Sequence, residues 1–388
     1  MRKEVRQMFP KRIGAIVPGV MREAVLPYLA QQLAIKADML REALEIRARP
    51  MVQGDLESPY RRYPKKKKTG GVRWITAPHE TLKKVQAAIY KRLLRPRYKP
   101  TPIAHGFIRG RGIVTNAAVH IQGGREPQSA LNIDLQDAFP SVRAERVVKL
   151  FRKLTGSEEL ALTLGYLTTW KNEQGQGAIP QGAPSSPILL NSVLQEFDAE
   201  LLELAGKFGL VVTRYVDDIT LSGPDARIPD KVFTYVARLA KKHGFLPNMT
   251  KLRWQHANRN PIEITGLHLI KPWVGDLEVR LPAATRRRWR GILHNLAEVP
   301  TDAFGKPEVG LGVGIIGVAR HVQAVSSNAA TRGHILPYEL RAPACELALL
   351  DRVPSIETLR DPRAWRKFQQ KHQESIRRFE LAYADRQS

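Results

Sequence analysis

Apolar positions recur along this chain first at helical and then at strand spacing, and the switch points outline its elements. Residues 1–50 read as helical, with apolar periodicity through Ala24 to Leu44 ending before Pro50. From Pro59 to Pro78 short strand-like pieces flank a Lys-rich, Gly-Gly turn, Lys65 to Gly71. An amphipathic helix follows over Leu82 to Leu94, stopped by Pro96; turns and a short helical stretch fill 97–125. Ala130 to Leu135 reads as a buried strand and Ala144 to Leu154 as a helix. Gly175 to Pro187 is a Gly/Pro/Ser loop before a long amphipathic helix, Ile188 to Ala205. Leu210 to Ser222, apolar on both sides of an Asp-Asp pair, predicts a β-hairpin with the acids at its tip. A helix over Asp230 to His243 and a strand around Ile262 to Leu269 complete the regular part. From residue 282 onward the pattern is helical and basic, with a Gly-rich interruption at 310–317. Strands alternating with helices predict a mixed α+β (α/β) core with helical additions at both ends.

Charge changes the picture more than composition does. Lys plus Arg number 62 against 37 Asp plus Glu, a net charge of +25, and cations cluster at Lys65 to Lys68 and at Arg286, Arg287, Arg288 and Arg290. A protein this basic is expected beside a polyanion, of which nucleic acid is the usual one. The single cysteine, Cys345, excludes an internal disulfide and fits a reducing compartment. The apolar stretch near Ile13 to Val20 is short and broken by Pro18, a poor signal peptide, and the run Val309 to Ala319 is too short to span a bilayer. A cytoplasmic protein without a membrane partner is the expectation.

Two segments carry candidate chemistry. Leu131-Asn132-Ile133-Asp134 ends the buried strand, and Tyr215-Val216-Asp217-Asp218 crosses the hairpin tip. An Asp-Asp pair in a turn is commonly just solvated. Here the apolar flanks would bury the hairpin against a core, and carboxylates kept there need a partner such as a metal ion. Mg²⁺ prefers hard oxygen ligands. In-line phosphoryl transfer to a 3′-hydroxyl uses two such ions about 4 Å apart to stabilise the attacking and leaving oxygens.

The ordered set of motifs is more specific. Asn132-Ile133-Asp134-Leu135-Gln136-Asp137-Ala138-Phe139-Pro140-Ser141 resembles the first catalytic motif of reverse transcriptases. Pro180-Gln181-Gly182-Ala183-Pro184-Ser185-Ser186-Pro187 resembles their second, and Tyr215-Val216-Asp217-Asp218 their Tyr-x-Asp-Asp box. The resemblance covers roughly 56–270. It implies a right-hand polymerase fold with fingers, palm and a helical thumb: an N-terminal helical region over 1–55, fingers over 56–129, palm with some fingers elements over 130–255, and thumb with a basic helical region over 256–388. It implies two Mg²⁺ ions, with Mn²⁺ as a possible substitute, held by Asp134, Leu135, Asp217 and Asp218. Arg73, Lys66, Asp137, Ala138, Phe139 and Gln181 would bind the incoming nucleotide, and Lys251, in a stretch resembling the next motif, would give a proton to the departing pyrophosphate.

Two further stretches resemble boxes of retron reverse transcriptases. Asn116-Ala117-Ala118-Val119-His120 matches their Asn-Ala-x-x-His box, its Asn and His on one face if helical. Ile264-Thr265-Gly266 resembles their Val-Thr-Gly triplet, with Ile in place of Val, and His105 to Arg111 follows their pattern with Gly112 where Ser is common. This resemblance implies a cognate structured noncoding RNA (msr-msd) and its DNA product as partners, and dNTPs as substrates. It also implies branched msDNA started from a guanosine 2′-hydroxyl, an effector protein of the same operon, and a role in anti-phage defence. Asn116, His120, Arg111, Thr265, Gly266, Arg287 and Arg290 become RNA-binding candidates. A group II intron-like or other defence enzyme, and a noncatalytic RNA-binding scaffold, are the alternatives. Gly312-Val313-Gly314-Ile315-Ile316-Gly317 fits Gly-x-Gly-x-x-Gly, but the residues before it read as a loop, so the match is accidental.

Phe139 yields a first prediction. If its ring lies under the sugar, Phe139→Ala should admit ribonucleotides with modest loss on dNTPs. Unchanged dNTP/NTP discrimination in a folded variant would make it a core residue only.

Overall fold

The structure is a computed structural model describing residues 25–52, 54–66, 72–121, 126–171, 175–270, 278–280 and 282. Residues 1–24, Lys67, Lys68, Arg286 to Arg290, the Gly312 to Gly317 match and Cys345 lie outside the described residues, and with them the RNA-binding candidates Arg287 and Arg290. The chain divides into two compact units. The first comprises Met1–Arg109, Leu131–Leu221 and Ile228–Trp254, the second Gly110–Ala130, Ser222–Arg227 and Gln255–Ser388.

In the first unit the N-terminal periodicity resolves into two helices, Val25–Leu33 and Ala37–Ala48. Ala34 separates them at φ 52, its N–H bonding the Gln31 carbonyl while the Ile35 N–H bonds that of Ala30. That pair of bonds is a Schellman ending with an alanine where glycine is usual. The strands Tyr60–Lys66 and Val72–Pro78 pair antiparallel, as expected, from Tyr60 opposite Pro78 to Lys66 opposite Val72. The helix Glu80–Ala88 then runs on through a π-helical stretch, Ile89–Leu94, to Arg95–Arg97, so Pro96 does not stop it. The Arg92 carbonyl, which a proline nitrogen cannot serve, instead accepts from the Arg97 guanidinium at 3.4 Å.

The core strand appears as Ser129–Gln136 and the predicted hairpin as Val211–Tyr215 and Asp218–Gly223. In one sheet the order is Val211–Tyr215, Asp218–Gly223, Ser129–Gln136, Leu246–Pro247, and Arg253–His256 also pairs with Ser129–Gln136. Leu131, Ile133, Leu135, Ile219 and Leu221, alternating with the polar positions of their strands, are buried on one face of this sheet. Helices Ala144–Thr155, Ser186–Val193, Gln195–Lys207 and Asp230–Lys242 supply further core through Val147, Phe151, Leu189, Phe197, Leu201 and Val236. The long helix expected over Ile188 to Ala205 is thus two, divided at Leu194.

One helix has no counterpart in the periodicity. Glu158–Thr168 is capped by the Ser157 side chain and follows Gly156, which ends the preceding helix at φ 68. Every residue from Ala161 to Thr168 is buried, so it has no polar face to produce a 3.6-residue pattern. It packs against Ala144–Thr155. A Cβ at Gly165 would lie 2.5 Å from Val148 Cγ2, so glycine permits this close approach.

In the second unit the short helix Ile113–Ala118 packs on a three-stranded antiparallel sheet, Glu263–Ile264, Leu267–Ile270 and Glu278–Arg280. The single strand expected around Ile262 to Leu269 is therefore a tight hairpin. Ile264 pairs with Leu267, and the two turn residues Thr265 and Gly266 sit at φ 50 and 79. A two-residue type I′ turn requires positive φ at both positions, and Thr-Gly is not its usual sequence mark.

The helix contact makes a prediction. Gly165→Ala should destabilise the chain by roughly 1–3 kcal/mol through overpacking, and Val148→Ala in the same background should restore part of the loss. Denaturant unfolding of both variants measures this; additive losses would show that the two residues do not share a contact.

Candidate active site

Side chains alternate across a strand, so Asn132 and Asp134 share one face of Ser129–Gln136, and Asp218 and Thr220 share one face of Asp218–Gly223. The strands are neighbours, and Asn132 Nδ2 donates to Thr220 Oγ1 at 3.0 Å, which makes the two faces one. The Leu135 N–H donates to the Asp217 carbonyl at 2.8 Å, tying the turn to the same strand end. Asp134 and Asp218 thus project from one face, with Asp217 in the turn beside them. That turn is strained: Val216 holds φ 64, a region a β-branched residue rarely enters, at a cost on the order of 1–3 kcal/mol.

Electrostatics registers the crowding. Burial, then the neighbouring charges of Asp217 and Asp134, pushes the Asp218 carboxyl up to about 7, against smaller opposing effects of Arg253 and Lys251. Asp217 is raised for the same reasons, burial first and Asp134 next, with Lys251 and Arg73 acting in the other direction. Asp134 is already partnered: Lys251 Nζ lies 2.7 Å from Oδ2, and Asn248 Nδ2 donates to Oδ1 at 3.2 Å. The Asn248 N–H also holds the Asp134 carbonyl at 2.7 Å.

Among the described residues no three or more His, Cys, Asp or Glu side chains are gathered tightly enough to form a metal cage by themselves. The donor chemistry nevertheless fits a hard divalent cation. Three carboxylates act on one another, two of them are raised, and the cation nearest Asp134 is a lysine. Leu135 adjoins this cluster through its backbone, its side chain being buried.

The sequence profile of the family "Reverse transcriptase (RNA-dependent DNA polymerase)" matches residues 63–269, which contain all three aspartates. The chain belongs to the reverse transcriptase family. It is 36% identical over 244 residues to the retron Mx65 reverse transcriptase of Myxococcus xanthus, an alignment covering 60% of this chain and 54% of that one. It is 31% identical over 252 residues to the retron Mx162 reverse transcriptase of the same organism, covering 59% and 51%. To the retron Ec86 reverse transcriptase of Escherichia coli it is 32% identical over 204 residues, covering 53% and 60%. The chain thus spans about half the length of the first two relatives. The retron-type resemblance seen in the motifs is shared by these alignments, and the match carries the polymerase fold with it.

Within the reverse transcriptase domain the basic hairpin has two chemically different faces. Lys65 is directly opposite Arg73, on the face of Tyr63 and Ile75, whereas Lys66 is opposite Val72, on the face of Pro64 and Trp74. Arg73 is the residue of this hairpin whose charge acts on Asp217. The structure therefore groups Lys65, not Lys66, with Arg73. Four consecutive lysines in the sequence do not disclose this register. The second motif docks on the same hairpin: the Thr76 N–H donates to the Gln181 carbonyl at 2.7 Å. Gly182, at φ 136, leaves room where a Cβ would lie 3.0 Å from Ile75 Cγ2 and from the Thr76 carbonyl. Asp137 is exposed at φ 44, Ala138 is buried, and Phe139 belongs to the hydrophobic core with 9% exposure.

The retron boxes meet in the second unit. Asn116 and His120 are each only 1% exposed, so both side chains face protein. Asn116 Nδ2 reaches Thr265 Oγ1 at 3.5 Å, that hydroxyl donates to the Ile113 carbonyl at 3.3 Å, and His120 Nδ1 lies 2.6 Å from Ser222 Oγ. His120 falls past the end of the helix, so its burial does not follow from helical spacing. The box supports the Thr265–Gly266 turn; half-buried Thr265 and exposed Gly266 present the accessible surface, and Arg111 is half-buried.

The raised carboxyls predict a pH effect. Without divalent ions, folded Asp218 keeps its proton up to about pH 7, whereas the unfolded chain releases it near the ordinary carboxyl value of 3.8. Stability should fall as pH rises through that window and level above it. Asp218→Asn should therefore raise the melting temperature in chelator at pH 8, by at least about 2 °C, with the gain shrinking at pH 5. An unchanged or lower melting temperature at pH 8 would contradict the crowding.

Proposed function

We propose that this chain is the RNA-directed DNA polymerase of a retron. It copies part of a cognate structured noncoding RNA, msr-msd, into DNA joined to the RNA at a guanosine 2′-hydroxyl, yielding msDNA for anti-phage defence. The observation that carries the polymerase reading is the set of mutually repelling carboxylates Asp134, Asp217 and Asp218 on adjoining strand ends, inside the region matched by the family. The retron part is supported by the relatives and by the joined Asn116–Thr265 boxes.

In this reading 56–129 serves as fingers, 130–255 as palm and 256–388 as thumb. Asp134, Asp217 and Asp218, with the Leu135 backbone, would hold Mg²⁺ or Mn²⁺, which when bound supplies neutralising charge at the attacking and leaving oxygens. Arg73 and Lys66, with Lys65 opposite Arg73 in the register, grip the triphosphate; Gln181, Asp137 and Ala138 line the nucleotide pocket, and the Phe139 ring excludes a 2′-hydroxyl. Lys251, beside the cluster, gives a proton to the departing pyrophosphate. Thr265, Gly266 and Arg111 contact the cognate RNA, and dNTPs are the substrates. An effector protein of the same operon is the expected partner. No helix among the described residues is long and apolar enough to cross a membrane; the cytoplasmic location belongs to the proposal.

One experiment separates the levels of this reading. Primer extension with Mg²⁺ on an annealed template should fall to background in the Asp217→Ala/Asp218→Ala variant, with RNA binding retained; undiminished synthesis would remove the polymerase assignment. Asn116→Ala/His120→Ala should spare that extension but cut synthesis primed by the cognate RNA's own 2′-hydroxyl by about tenfold or more. The comparison is made on variants that melt like wild type. Equal losses on both substrates would leave a reverse transcriptase of another priming mode.

A further inference from the structure

Arg214 heads the fully buried large side chains among the described residues, and its ion-pair partner Asp198 is as deeply buried, both side chains at 0% exposure. Arg214 stands two residues before Val216. Its Nε donates to Asp198 Oδ1 at 2.6 Å and its Nη2 to Oδ2 at 2.7 Å, a two-pronged pairing. Its Nη1 donates to the Val216 carbonyl at 2.7 Å and to Asn191 Oδ1 at 3.0 Å. Asn191 Nδ2 in turn donates to the Gly106 carbonyl at 2.9 Å, and Thr101 Oγ1 to Asp198 Oδ2 at 2.6 Å. The backbone completes the clamp: Arg214 N–H to the Ile103 carbonyl at 2.7 Å, His105 N–H to the Arg214 carbonyl at 2.8 Å.

Val216 is thereby held on two sides. Its carbonyl is bound by Arg214, and Gly106 lies so close that a Cβ there would come within 2.4 Å of Val216 Cγ2 and 2.7 Å of Val216 N. The Val216 carbonyl and the Asp217 N–H belong to one rigid peptide plane. Anchoring that oxygen fixes the direction in which Asp217 leaves the turn. A buried ion pair is a poor stabiliser, often equalled by apolar residues of the same volume. A guanidinium fork, however, can span Asp198, Asn191 and Val216 at once, which an ammonium cannot.

We infer that Arg214, braced by Asp198, is a positioning residue that sets the Val216–Asp217 turn and thereby the divalent-cation affinity of the aspartates. This rests on the proposed metal-holding role of Asp217 and Asp218. The test uses the full chain and reads Mn²⁺ binding by electron paramagnetic resonance beside melting temperature and primer extension. Arg214→Met/Asp198→Leu removes the pair while keeping the packing. It should melt near wild type, bind Mn²⁺ about 10- to 100-fold more weakly, and need correspondingly more Mg²⁺ for half-maximal extension. Arg214→Lys, which keeps the charge against Asp198 but not the span, should weaken Mn²⁺ binding in the same direction. If the double variant fails to fold, Thr101→Val loosens Asp198 from the periphery and should weaken Mn²⁺ binding by a smaller factor, with melting unchanged. Wild-type Mn²⁺ affinity in whichever of these variants folds would overturn the inference. Wild-type protein that binds Mn²⁺ yet extends no primer would instead count against the polymerase reading alone.

Discussion

Like charge confined at a strand end is the constraint on which the rest of the site depends. Asp217 and Asp218 are adjacent in the chain, and the sheet brings Asp134 from the neighbouring strand to the same face. Left to itself such a cluster relaxes by protonation or by moving apart. The fold leaves only the first of these open, with the Asp218 proton held up to about pH 7 when no cation is bound, because the Leu135 and Asn248 backbone bonds and the Asn132–Thr220 pair fix the strands that carry them. A frame this rigid keeps oxygens convergent and short of positive charge, which is what a hard cation requires.

Other supports in each unit are built from bonds of the same kind. The basic hairpin and the Gln181–Gly182 loop join through a backbone bond and a glycine-wide gap, so Arg73 and Gln181 share one support. In the second unit the two retron boxes are one device. A buried amide and a threonine hydroxyl tie a helix to a tight turn, leaving the turn as the exposed part. Conspicuous motif residues here hold surface in place instead of being the surface.

Much of this was legible in the sequence, for reasons that can be named. The Asp134 strand and the Asp217–Asp218 hairpin announced themselves because apolar residues bracket acids at strand length. The basic hairpin was legible from the Gly-Gly pair in the sequence between its strands, but the pairing of Lys65 with Arg73 needed the register, which composition does not carry. The buried helix Glu158–Thr168 was invisible because periodicity measures contrast between faces, and it has none. The spacing of Asn116 and His120 implied a shared face only if both were helical; the helix ends at Ala118, and the sequence did not say that both side chains are buried. Thr265–Gly266 hid its turn because threonine is a poor advertisement for positive φ. Nothing in the sequence around Arg214 marks it as buried; only its partners do.

The alternation along the basic hairpin has an evolutionary corollary. Because Lys65 and Arg73 share one side and Pro64 and Trp74 the other, losing or gaining a single residue inside either strand would turn that strand over from the change onward. An indole would then stand where a guanidinium had been. Paired changes of two residues preserve the sides, and point substitutions preserve them too. Lineages carrying this hairpin should therefore have drifted by substitution and by even-numbered length changes within its strands, with odd-numbered ones confined to its ends.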